Sequence, residues 1–353
     1  MAEIKLNKNH PLYIEDLKYV ITSSGLDEIS GKSFLVTGAT GLIGTCLIDA
    51  LMLNNSNGNA NHVYAVGRDK QKAKSRLGEY YTDRYFHFIE QDVRTPLPSS
   101  LDVDYIIPLA SNTHPMAYSQ YPVETIEINV KGAESALKLA ERCVAIVLYP
   151  STVEVYGNAR GKDVFNEDYT GDLNLKNSRS CYPESKRLCE ALCQSYMAEH
   201  NVEVKIVRLS RIIGPTMQLS DTKASSQFII KALSHENIVL KSKGEQYFSY
   251  TYVSDAVSAI LYVLFKGRNG EAYNIANSNC DVKLKDFANM CADWSNRDVV
   301  FDLPSDIEKN GYSVAMTAIM NSDKLRSLGF ESKVGIKEAV NRLLSILWND
   351  GKN

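Results

Sequence analysis

Apolar positions along the chain come in two textures: short continuous runs, and longer stretches in which they recur every three or four residues. The first texture reads as strand buried on both faces, the second as amphipathic helix. After a polar start, residues 13–21 carry the helical pattern, which predicts a short N-terminal helix packed outside the main domain. From Gly31 the textures alternate. Residues 33–37, 62–66, 85–89, 105–110, 145–149 and 204–208 read as strands, and 42–53, 68–77, 123–143 and 183–199 as the helices between them. That alternation predicts an α/β fold, a doubly wound parallel sheet covered on both faces. Past Gly214-Pro215 it weakens: 216–226 is polar and reads as a loop, 227–233 as a helix, 238–253 as short strands, and 255–264 and 336–347 as helices.

Between the first strand and the first helix lies Thr37-Gly38-Ala39-Thr40-Gly41-Leu42-Ile43-Gly44. Glycines are needed where the backbone turns sharply or approaches a pyrophosphate closely. The helix start then offers unpaired N–H groups and partial positive charge to phosphate. The spacing is G-x-x-G-x-x-G, the form found in short-chain dehydrogenases, and here the chain begins to resemble that family. The division that follows is an N-terminal helical extension over 1–30, a Rossmann-type NAD(P)-binding domain over 31–214 to which a strand or helix from 245–277 returns, and a mainly substrate-binding α/β cap over 215–353. NAD or NADP is the expected cofactor. The second strand ends Val66-Gly67-Arg68-Asp69, where an acidic residue would bind the ribose 2′-hydroxyl. If Gly67 takes that place, Arg68 can pair with a 2′-phosphate. Asp69 can instead restore NAD preference, and Arg68 can equally be a solvated helix-start residue.

Composition narrows the alternatives. The 353 residues are 44% hydrophobic and 23% charged, with a net charge of −3, so a core is affordable without disulfides or metal. The balance lacks the basic face that a nucleic-acid partner would require. No apolar run is long enough to span a bilayer, and the N-terminus lacks the apolar core of a secretory signal. A cytoplasmic protein without a membrane partner is expected. Seven cysteines are widely spread without a C-x-x-C pair, so they read as core-filling thiols, and no metal site is expected.

Tyr182-Pro-Glu-Ser-Lys186 places a phenol and an ammonium four residues apart, on one helical face. A free tyrosine titrates near ~10, too high for a base at neutral pH. A neighbouring ammonium and the positive nicotinamide ring both favour the phenolate, and lowering its pKa by about three units takes roughly 4 kcal/mol. Ser151-Thr152 ends the preceding strand, and Thr152 can hold the hydroxyl being oxidised while Tyr182 takes its proton. If the chain stays extended there, Glu154 projects to the same side as Thr152 and can handle a proton beside a transient ketone.

From about Gly31 to Leu347 the chain resembles the extended branch of that family, the NAD-dependent epimerases and dehydratases. The matching stretches are the glycine loop, Leu109-Ala110-Ser111, Asn129 to Gly132, Ser151 to Gly157, Tyr182 with Lys186, Gly214-Pro215, Tyr252 to Asp255 and Tyr273 to Ala276. Arg179 to Arg187 and Gly214 to Met217 are especially similar to UDP-glucuronate decarboxylases. The resemblance implies catalysis by Thr152, Glu154, Tyr182 and Lys186. It implies cofactor contacts from Gly38, Thr40, Gly41, Leu42, Ile43, Gly44, Arg68, Asp92, Val93, Leu109, Ala110 and Ser111, with Tyr182 and Lys186 again; the acid matching Asp92 meets the adenine amino group. Asn112, Thr113, Arg179, Arg211, Gln227 and Phe248 are the implied contacts of a nucleotide diphosphate sugar. A homodimer through helices 123–143 and 183–199 is implied as well.

Three positions depart from the pattern. Val153-Glu154 replaces the Asp-Glu pair of 4,6-dehydratases, so the proton donor for water loss is missing. Phe248 stands where relatives carry an arginine for substrate phosphate or carboxylate. Arg211 stands where they carry asparagine; it either supplies the lost charge from another direction or pairs within the core edge. The expected function is modification of a nucleotide sugar by oxidation to a transient ketone, with the cofactor recycled. The alternatives are a one-way NAD(P)H-dependent reductase of a keto-sugar nucleotide, such as a CDP- or dTDP-linked ketose, and a non-catalytic NAD(P)-binding regulator.

Overall fold

The computed structural model describes residues 4–113, 115–159, 164–302 and 316–348. Its strands are β1 (Ser33–Thr37), β2 (His62–Gly67), β3 (Phe86–Glu90), β4 (Tyr105–Pro108), β5 (Ile146–Thr152), β6 (Val164–Phe165), β7 (Val204–Leu209), β8 (Arg211–Ile213), β9 (Ile238–Leu240), β10 (Tyr247–Tyr252), β11 (Ala272–Ile275), β12 (Asp281–Lys283), β13 (Val299–Phe301) and β14 (Thr317–Met320). The helices that position the site are α1 (Pro11–Ser24), α2 (Leu42–Ser56), α3 (Lys70–Leu77), α4 (Pro115–Gln120), α5 (Pro122–Cys143), α6 (Cys181–His200), α7 (Ala224–Leu233) and α8 (Val253–Lys266).

Seven parallel strands form the central sheet in the order β11-β7-β5-β4-β1-β2-β3. The order reverses beside β1, which opens a crevice at the carboxyl ends of β1 and β4, where such sheets receive ligands. The near-continuous apolar strands follow from this burial. Phe34, Val36 and Ile107 face a core shared with α1, α2 and α8, and Leu35, Ile106 and Val147 face one built from α5 and α6. A third core lies under the mixed sheet β12-β10-β14-β6, to which β8 adds through β10. β11 pairs with β7, so the late segment 272–275 closes the edge of the first sheet.

The N-terminal helix departs from expectation. α1 starts on Pro11, is capped by the His10 ring accepting from the Leu12 amide at 3.2 Å, and stops at Gly25 with φ 77°. Tyr13, Leu17, Val20 and Ile21 form one stripe, and that stripe lies inside the first core against α2 and α8. Polar anchors hold it there. Asp16 accepts from Arg342 at 2.8 Å and from the Tyr252 hydroxyl at 2.7 Å, and Tyr13 donates to the buried Asp49 at 2.5 Å. A helix with a full apolar stripe has to bury it, so the extension is part of the main core. Among the described residues no helix is long and apolar enough to cross a membrane, and the cysteines are free thiols.

Candidate active site

The glycine loop leaves β1 and enters α2. Gly38 has φ +64°, and a Cβ there would lie 2.7 Å from the Ala110 nitrogen; a Cβ at Gly44 would strike the Gly38 carbonyl. The loop is therefore pressed onto the end of β4 at Leu109–Ala110, where Thr37 accepts from the Ala110 amide at 3.1 Å. Gly41 caps α2 without a side chain, so the first turn, beginning Leu42 and Ile43, presents bare backbone to whatever approaches. Gln218 donates to the Thr40 carbonyl at 3.1 Å and fixes the loop from the second half of the chain. This cradle admits backbone and anion but no further side chain, so it fits a dinucleotide pyrophosphate.

At the adenosine end, the Asp69 carboxylate accepts the Lys72 amide at 2.9 Å and is committed to capping α3. Gly67 offers no carboxylate at all. Arg68 pairs with Glu124 at 3.1 Å and reaches Asp92 at 3.9 Å. Asp92 is gripped by Arg94, whose hydrogen bonds hold its carboxyl below the usual range. Val93 is buried beside Gly132.

Tyr182 and Lys186 stand in the first turns of α6 and face the end of β5. Their helix is docked by a buried polar chain: Ser111 donates to Asn129 at 2.7 Å, Asn129 to Ser185 at 2.8 Å, and Ser185 to the Tyr182 carbonyl at 2.9 Å. The Thr152 hydroxyl favours the ionised form of the Tyr182 phenol. Lys186 donates to the Pro150 carbonyl at 2.8 Å and lies 4.9 Å from the centre of the Tyr149 ring. Burial pulls its pKa down to about 8.

Here the structure corrects the expected electrostatics. Burial raises the Tyr182 phenol well above its ordinary value, the Glu154 carboxylate adds to the rise, and only the Thr152 hydrogen bond opposes them. Lys186 spends its bond on the backbone of β5 rather than on the phenol. The chain after Thr152 is not extended either: residues 153–156 turn as a 3-10 helix, capped by Thr152 accepting from the Glu154 amide at 3.3 Å. That turn brings Glu154 close enough to act on the phenol while it pairs with Arg179 at 3.4 Å.

Other expected residues divide into two groups. Arg211 stacks on Phe248, 3.5 Å from the ring centre, and feels the charges of Glu154 and Arg179. Asn112 donates to Thr125 at 3.4 Å near the end of β4, and Thr113 beside it is exposed. Gln227 does not join them: it is exposed on α7 and donates to the Asp221 carbonyl at 2.6 Å. Its residue type carried no information about which face of α7 it would occupy.

Two residues of the site were missed in the sequence. Tyr118 stacks on Tyr182 with ring centres 4.8 Å apart and planes 20° apart, under the Arg179 guanidinium at 5.9 Å. Asn129, in the run Asn129 to Gly132, is the buried link that docks α6; its signal is a polar residue on the apolar face of a long helix.

The family model for the NAD dependent epimerase/dehydratase family matches residues 34–276. UDP-glucuronic acid decarboxylase 6 of Arabidopsis thaliana is 33% identical over 315 residues, 88% of this chain and 87% of that protein. UDP-glucuronic acid decarboxylase 1 of Xenopus tropicalis is 34% identical over 68% of this chain, which spans 55% of that longer relative. Among solved structures, a dTDP-glucose 4,6-dehydratase of Streptomyces venezuelae with NAD and TYD bound superposes with a TM-score of 0.76 at 22% identity, covering 89% of this chain and 96% of that one. A UDP-glucuronic acid 4-epimerase of Bacillus cereus in complex with UDP-glucuronic acid and NAD gives 0.76 at 21% identity, covering 89% and 98%. At those identities the structures share the fold.

The buried Lys186 makes a measurable prediction. Its pKa falls from 10.5 in the unfolded chain to about 8 in the folded one. Folding therefore opposes its charge: the cost, about 3 kcal/mol, is fully present below pH 8 and vanishes as pH rises to the unfolded value. Lys186→Met should unfold at a higher temperature than the parent at pH 7 by calorimetry, with the gap closing as pH rises. A lower unfolding temperature at pH 7 would contradict the assignment of a buried ammonium whose charge the fold opposes.

Proposed function

The chain belongs to the NAD-dependent epimerase/dehydratase family, and we propose that it oxidises a hydroxyl of a nucleotide diphosphate sugar to a ketone, lets the neighbouring carbon react, and reduces the ketone again. One observation carries this reading: Thr152, Tyr182 and Glu154 meet at the carboxyl end of β5, with Lys186 buried behind them. When bound, the nicotinamide supplies hydride acceptance and return, and its positive ring favours the phenolate. Thr152 holds the sugar oxygen and Tyr182 takes the hydroxyl proton. Lys186 keeps a positive charge under the site at neutral pH. Glu154 handles the proton at the carbon beside the ketone, and Arg179 orients its carboxylate.

Loss of carbon dioxide from a uronic acid is the reaction we place first. A ketone one carbon from the carboxyl-bearing carbon is enough to stabilise the electrons left behind, so no acid for water loss is needed, and Val153 supplies none. The two decarboxylases similar to this chain support the same choice. In this reading residues 31–214, completed by β11, hold the cofactor, and 215–353 mainly hold the substrate. The Gly67 end of the cofactor site, where the Asp69 carboxylate is committed to capping α3, admits NADP as well as NAD. α5 and α6 leave Val123, Ile126 and Leu188 exposed, which supports a homodimer through these helices.

The test is a panel of UDP-, dTDP-, GDP- and CDP-sugars, uronic acids included, incubated with the protein with and without added NAD(P)H and followed by product mass. Loss of carbon dioxide from a uronic acid without consumption of reductant is the expected result. A gain of two hydrogens with stoichiometric consumption of NAD(P)H would replace the recycling reading with the one-way reductase. A second prediction concerns the 2′-phosphate: Arg68→Ala should weaken NADP about tenfold more than NAD in a binding titration, the worth of one charge-assisted hydrogen bond. Equal weakening would leave Arg68 to its pairing with Glu124.

A further inference from the structure

An arginine and an aromatic ring meet across two strands of the second sheet. β8 pairs with β10 in parallel, with Arg211 opposite Tyr250. This register sets the Arg211 guanidinium over the ring of Phe248, at 3.5 Å. Phe248 is buried in the core of the second sheet, and its ring is the platform for the charge.

The guanidinium is also incomplete. Its Nη1 is sealed from solvent and has no hydrogen-bond partner among the described residues. Other arginines of the interior do not share that condition. Arg208 is held twice by Glu190, Arg342 by Asp16, Arg187 by the Val155 and Gly171 carbonyls, and Arg76 by the Thr216 carbonyl. A cation–π contact satisfies the face of a guanidinium but none of its N–H groups. A buried donor left unpaired costs stability, so the fold holds, within electrostatic reach of Glu154, an arginine whose guanidinium still lacks an acceptor.

The neighbouring charges say which kind of acceptor. Glu154 and Arg179 both act on Arg211 electrostatically, and Glu154 already accepts from Arg179 at 3.4 Å. Among the described residues, the one carboxylate that acts on Arg211 is thus already shared with a second guanidinium. A planar, pre-oriented guanidinium edge matches a carboxylate or a phosphate.

We propose that Arg211, braced by Phe248, is the anion-recognition residue of the substrate site and determines which sugar nucleotides bind. Its ligand is an oxyanion, from either the diphosphate or a carboxylate on the sugar. This rests on the nucleotide-sugar reading of the site.

The experiment compares parent and Arg211→Met by calorimetric titration with three probes: a nucleoside diphosphate, the same nucleotide linked to a neutral hexose, and the same nucleotide linked to a hexuronic acid. UDP is taken first, then dTDP, GDP and CDP. Loss of about ten- to a hundredfold in affinity for all three probes identifies the diphosphate as the partner. The same loss confined to the uronic acid conjugate identifies the sugar carboxylate. Both support the proposal. Equal binding of every probe by parent and variant overturns it, with the nucleotide-sugar reading intact. A parent that binds none of the four nucleotides overturns both. The unfolding temperature of Arg211→Met supplies a second readout: it should be equal to or above the parent's, because an unpaired buried donor is removed. A lower temperature with unchanged affinity would make Arg211 a structural residue of the β8–β10 contact and overturn the proposal.

Discussion

A lysine with no ion-pair partner among the described residues, sunk beneath the carboxyl end of β5, sets the terms for the rest of the site. The Pro150 carbonyl, the face of Tyr149 and the more distant Glu190 charge offset part of the lost hydration of Lys186. Such a group stays in place only if its helix is fixed by other means. The means are the packing of α6 on α5 and the Ser111–Asn129–Ser185 chain, which runs from the end of β4 through α5 to α6. That chain ties the cofactor side of the crevice to the catalytic side. Tyr182, one helical turn before Lys186, is thereby set against Thr152, and the 3-10 turn after β5 brings Glu154 to the same point.

The electrostatic pattern that results is one of deferred completion. Without ligands the phenol is strongly protonated, Lys186 is charged at a cost, and Arg211 has a donor without an acceptor. In the proposed reaction a positive nicotinamide ring would favour the phenolate, that phenolate would offset the Lys186 charge, and a substrate oxyanion would give Arg211 its acceptor. Functional sites commonly carry such locally unfavourable arrangements, and the surrounding packing compensates for them. Here the compensation comes from three apolar cores, including one that takes in the N-terminal helix.

Much of this was legible in the residues, and the exceptions share one cause. Six of the seven strands of the central sheet and the C-terminal helix (Ile336–Leu347) follow directly from apolar periodicity, and the glycine loop sits where a strand meets a helix. The mutual placement of Tyr182 and Thr152 followed from motif and position along the fold. What escaped was set by contacts distant in sequence. The α1 stripe looked like that of any surface helix, and only α2 and α8 turn it into core. The spacing of Tyr182 and Lys186 gave a shared face but not the competing Pro150 carbonyl, which decides where the ammonium spends its bond. Glu154 was expected on an extended chain, yet the Thr152 cap bends it into a turn. Tyr118 carries no motif of its own, and its stacking on Tyr182 depends on where α4 lies.

The central claim is that the Tyr182 phenol moves the proton of the sugar hydroxyl while the other groups hold and orient. Replacing Tyr182 by Phe removes that hydroxyl and keeps the ring that stacks on Tyr118. Single-turnover rates with the substrate found in the panel should fall by on the order of a thousandfold in Tyr182→Phe, with cofactor affinity unchanged. A variant that turns over at close to the parent rate would contradict the account at its base.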